Sequence, residues 1–161
     1  MSYCLHIWTL IADSYVQAKN YQRASQAFYT LCKVYNRWKV KQTGRIIPEN
    51  FAPANSKAAV IEFGTDDYIL AKANYSTCLW FNGQLKHAIQ KFESTKRQIE
   101  NEIVYENPAL FINVCYKLGC CWLEQAKQKG PSPEAENRNQ MMTAAMDNFE
   151  SALCLINRMN D

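Results

Sequence analysis

Three times along this chain an alanine is followed one helical turn later by a phenylalanine: Ala24 and Phe28, Ala88 and Phe92, Ala145 and Phe149. That gap places a small and a large residue together on one face of a helix. An apolar helix face precedes each pair. Before the first, Trp8, Ile11, Ala12 and Tyr15 fall at i, i+3, i+4 and i+7. Before the third, Cys115, Leu118, Gly119 and Trp122 repeat that spacing. Before the second, Tyr75, Ser76 and Leu79 carry a thinner version. Polar breaks at Lys19-Asn20 and Asn82-Gly83-Gln84 separate the two helices of the first two pairs. A chain built this way is expected to be all-α, folded as successive helical hairpins.

The composition agrees. With 5 Gly and 5 Pro in 161 residues, helix breakers are scarce, and 48% hydrophobic residues supply a core without staples. The length favours a single domain over residues 1–161.

The first hairpin resembles a tetratricopeptide repeat (TPR), whose pattern is W-x2-L-G-x2-Y followed by A-x3-F. Trp8, Ile11, Ala12, Tyr15, Ala24 and Phe28 occupy its six signature places, with Ile for Leu and Ala for Gly. The second hairpin keeps the turn and the Ala-x3-Phe pair but has Lys72 where Trp is expected. The third keeps Leu118, Gly119, Ala145 and Phe149. The resemblance implies three TPR-like hairpins stacked as a right-handed α-solenoid with insertions. Repeat one would span about 5–38, repeat two about 69–104 and repeat three about 112–158.

Two segments interrupt this array. Residues 39–68 hold the Gly/Pro/Asn-rich "TGRIIPENFAPANSK" and are expected to be an insertion. Thr65 before Asp66-Asp67 reads as an N-cap followed by first-turn acids. Residues 129–140 are expected to form a loop inside the third hairpin, because Pro131 and Pro133 cannot continue a helix.

No catalytic constellation is legible. The two histidines, His6 and His87, have no companion at metal-ligand spacing. Seven cysteines form no C-x-x-C, and adjacent Cys120 and Cys121 point about 100° apart on a helix, badly placed to chelate one ion. The chain is expected to be non-enzymatic, without metal or cofactor. No signal peptide or membrane-length apolar run is visible, so an intracellular protein with reduced thiols, cytoplasmic or nuclear and without a membrane role, is expected.

Function is therefore expected in binding, as an adaptor or scaffold subunit of a larger complex. In TPR arrays the first helices of the hairpins line a concave groove that holds a partner helix or extended segment. Position by position, the resemblance implies a groove formed by His6, Thr9, Asp13 and Val16, then Asn74, Thr77, Trp80 and Phe81, then Asn113, Tyr116, Cys120 and Leu123. Trp80, Phe81 and Tyr116 are the candidate anchors. The cations that hold a partner's terminal carboxylate in some TPR proteins are missing, and Asp13 and Glu124 would repel one. The apolar last helix, with no polar cap after it, also suggests self-association or docking through the third repeat. An alternative is a helical-repeat RNA-binding protein. Lys33, Arg37, Lys39, Lys41 and Arg45 occur without an acid among them, interleaved with Tyr35 and Trp38, as an anionic-partner patch would require. Against it, cations suit a helix C-terminus for dipole reasons alone.

Overall fold

The computed structural model describes residues 2–43, 64–102, 107–128 and 135–160. Among them are six α-helices and no strands: α1 (Ser2–Gln17), α2 (Tyr21–Thr43), α3 (Thr65–Phe81), α4 (Leu85–Glu102), α5 (Pro108–Gln128) and α6 (Ala135–Asn160). Each helix packs against the next in sequence, and α3 also touches α5.

The first two hairpins close with the same turn. In one, Lys19 N–H donates to Val16 O (2.9 Å) and Asn20 N–H to Tyr15 O (2.8 Å). In the other, Gly83 N–H donates to Trp80 O (3.0 Å) and Gln84 N–H to Leu79 O (2.9 Å). This is the Schellman end of a helix, with a left-handed residue just past the cap. Gly83 takes that conformation (φ 77°) at no steric cost, whereas Lys19 takes it (φ 55°) against the preference of a side chain. The next helix begins at once, and the Asn20 side chain accepts the Arg23 N–H as an N-cap (3.2 Å).

Several boundaries depart from the expectation. α2 continues to Thr43, beyond the start of the expected 39–68 insertion, and α3 already begins at Thr65. The capping position of α3 belongs to Gly64 rather than Thr65, and Gly64 N–H donates to Asp67 Oδ2 (2.9 Å). Asp66 instead accepts from Asn107 Nδ2 (3.3 Å), tying α3 to the start of α5. α6 begins at Ala135, inside the expected 129–140 loop, since nothing after Pro133 prevents helix formation. The stretches "GRIIPENFAPANSK" and "AAVIEF" lie outside the described residues.

The first two small–large pairs sit in the core, and in the third Ala145 is buried while Phe149 is half-buried. Ala24, Phe28, Ala88 and Phe92 are fully buried. Gly119 faces Phe149 so closely that a Cβ on it would lie 2.6 Å from the ring. The buried side chains form two clusters. One joins α1 and α2 (Leu5, Ala12, Phe28, Leu31, Tyr35) to Ala71 and Cys78 of α3. The other joins Ile69, Ala73 and Leu79 of α3 to α4, α5 and Ala152 of α6. α3 thus contributes to both, and its Tyr68 and Tyr75 pack against each. Tyr68 stacks on Tyr35 with ring centroids 4.4 Å apart, and Tyr75 meets Tyr29 at 5.9 Å.

The residue that departs from the TPR pattern has its own work. Lys72 sends its ammonium to Gln98 Oε1 on α4 (2.6 Å), linking the helices of the second hairpin. No described helix is long and apolar enough to cross a membrane.

Candidate functional site: the face shared by α1, α3 and α5

Five of the residues proposed for the groove meet at one cavity. Asp13 and Val16 from α1 and Asn74, Thr77 and Phe81 from α3 line a space of about 140 Å³, together with Tyr21, Phe28 and Cys78. They meet because α1 and α3 are the first helices of successive hairpins and both rest on α2. Burial raises the pKa of the Asp13 carboxyl above its ordinary value.

Phe81 is the most exposed aromatic of this cavity, 54% accessible at the C-terminus of α3. It is held on two sides. Tyr21 of α2 meets it with centroids 5.0 Å apart, and Trp80 lies almost parallel to it at 5.2 Å. Trp80 itself is half-buried, and its Nε1–H donates to Glu124 Oε2 on α5 (2.6 Å). Of the candidate anchors on α3, Trp80 has its indole N–H committed to the α3–α5 contact, and Phe81 presents the more accessible ring.

The members from α5 are arranged differently. Lys117 and Glu124 face α3, with Lys117 Nζ donating to Thr77 Oγ1 (3.2 Å). Burial lowers the pKa of Lys117. Tyr116 is 57% exposed and turns toward α6, its ring 6.1 Å from that of Phe149. The Tyr116 hydroxyl pKa is raised chiefly by a hydrogen bond with Cys120. Asn113 is exposed, and Cys120 and Leu123 are half-buried, outside the α1–α3 cavity. At the other end, His6 is half-buried and Thr9 donates its hydroxyl to Leu5 O (3.0 Å), also outside that cavity.

Tyr21, Cys78 and Lys117 belong to this region although the sequence did not single them out. Tyr21 follows the α1–α2 turn directly, so its place is set by that turn. Lys117 and Cys78 lie one residue beside the groove positions Tyr116 and Thr77.

The vicinal cysteines separate as their helix dictates. Cys121 is fully buried in the second core cluster, and Cys120 is half-buried on the surface side. Burial pushes the Cys121 thiol up to about 12, with Glu124 and Cys120 adding to it. Cys78 and Cys115 are raised to about 11 by the same cause. All seven cysteines are free thiols, and among the described residues no three His, Cys, Asp or Glu side chains converge to hold an ion.

The basic segment does not gather into one patch among the described side chains. Lys33 and Arg37 are exposed one turn apart on α2, with Lys33 over the Tyr29 ring at 4.5 Å. Lys39, also exposed, lies about 200° round the helix from Arg37. The side chain of Lys41 and all of Arg45 lie outside the described residues.

Compared with models of protein families, with curated proteins and with solved structures, the chain matches none of them.

Proposed function

We propose that this chain is a non-catalytic, TPR-like interaction module, an adaptor or scaffold subunit that holds a segment of a partner protein along the face of α1, α3 and α5. The observation that carries the reading is the cavity where Asp13 and Val16 of one hairpin meet Asn74, Thr77 and Phe81 of the next. A site made jointly by the first helices of successive hairpins is what a solenoid groove requires. The identical turns of the first two hairpins and the close approach of Gly119 to Phe149 support the TPR-like assignment. Phe81 supplies an exposed, pre-positioned ring of the kind that dominates binding energy.

The test is affinity purification with the whole chain and with Phe81→Ala, Tyr116→Ala and the double variant. Both rings are more than half exposed, so their removal leaves the core intact. Specific partners should be lost or strongly depleted on the double variant while its circular dichroism and melting stay unchanged. Partners retained in full on that variant would refute a groove on this face.

A further inference from the structure

On the groove reading just proposed, the cavity between α1 and α3 stands out because an acid, Asp13, stands at its exposed rim. Asp13 makes no hydrogen bond or ion pair with the described residues. Burial raises its pKa. The same cavity is walled by Tyr21 and Phe81, whose rings are in contact at 5.0 Å. Ring faces attract cations, and more strongly where water is partly excluded. Asp13 lines the cavity together with these two rings, so a positive charge placed there would meet both the carboxylate and the aromatic walls.

We propose that this cavity is a pocket for one basic side chain, lysine or arginine, of a bound protein segment. Its volume of about 140 Å³ decides the kind of guest. Whole small-molecule ligands occupy pockets of roughly 300 Å³ and above, so this space fits the end of a side chain delivered by a larger partner. Charge decides the number. Lys117 reaches Thr77, a lining residue, from α5. Its ammonium disfavours a second cation on that side, so the pocket selects a single basic residue rather than a basic run. The apolar neighbour of that residue would lie on Phe81. The proposal also accounts for the missing carboxylate-binding cations: the face is built for the opposite charge.

The test is selection of a random dodecamer phage library on the immobilised whole chain, in parallel with Asp13→Asn and Asp13→Lys. Asp13 lies at the exposed rim of the cavity, and asparagine keeps its shape. Its raised folded-state pKa means that the ionised form opposes folding at neutral pH, so Asp13→Asn should melt no lower than the native chain. The native chain should enrich peptides with one lysine or arginine at a fixed position beside an apolar residue. Asp13→Asn should bind the best such peptide about tenfold to a hundredfold more weakly. Asp13→Lys should select acidic residues at that position instead. Binding of the selected peptide should also weaken as pH falls, starting above the range of an ordinary aspartate. Peptides enriched without a basic residue, or basic peptides bound equally by Asp13→Asn, would overturn the pocket and leave the groove standing. No enrichment of any peptide would overturn both.

Discussion

At the scale of single residues, the two equivalent turns carry a built-in comparison. Lys19 and Gly83 hold the same left-handed position, and only one of them is suited to it. Lys19→Gly should therefore stabilise the chain by about 1 kcal/mol, and Gly83→Ala should destabilise it by a similar amount although nothing lies within contact of the new methyl. Urea unfolding of both variants checks the opposite signs. The thiols give a second contrast. Cys4 and Cys154 are exposed, whereas Cys78, Cys115 and Cys121 are buried with thiol pKa values of about 11 or above. At pH 8 without denaturant, a thiol reagent should label Cys4 and Cys154 quickly and those three only on unfolding, as peptide mapping would show. Rapid labelling of Cys121 would contradict its place in the core. Such positions were legible in the sequence wherever one helix period settles them: Ala88 with Phe92, or Cys120 against Cys121. Trp80 was not, because its partner Glu124 is distant in sequence and belongs to a different helix.

At the scale of helices, the repeat places equivalent residues in unequal surroundings. Tyr35, Ile99 and Ile156 each lie two turns after the phenylalanine of their pair. The first two are 3% and 0% exposed, because another hairpin covers α2 and α4 on that side. Ile156 on α6 is 36% exposed, and Met146, Leu153 and Met159 are open near it. Ile99→Ala should cost about 2–5 kcal/mol, whereas Ile156→Ala should cost no more than about 0.5–1 kcal/mol. Equal losses in denaturant unfolding would mean that α6 is covered in solution. Helix boundaries were the weaker part of the sequence reading. The proline-rich stretch hid how soon α6 begins, and the carboxylate of Asp67, not the hydroxyl of Thr65, supports the start of α3. Cap chemistry turns on which donor a short side chain reaches, and several neighbours compete for that role.

At the scale of the molecule, α3 is the one helix among the described residues that feeds both core clusters. If the hairpins stack as the proposed repeat array, stability is close to a sum over neighbouring interfaces. Hydrogen exchange should then be slowest in α3 and α4, faster in α1 and α6, and uniform protection across all helices would show a single cooperative unit instead. The succession of hairpins was legible because each carries its own local signature. The α1–α3 cavity was legible in part: the resemblance supplied Asp13 and Phe81, but Tyr21 enters only because the first turn aims α2 at the end of α3.

The neighbour-to-neighbour packing of these helices also bears on how the native state is reached. Contacts made mostly within one hairpin or to the next require only short stretches of chain to be closed, and little loop entropy is lost before each new contact forms. The chain therefore need not wait for distant ends to meet. Once α3 has settled between α2 and α4, each remaining helix can add to a surface already in place, as a zipper closes outward from its middle.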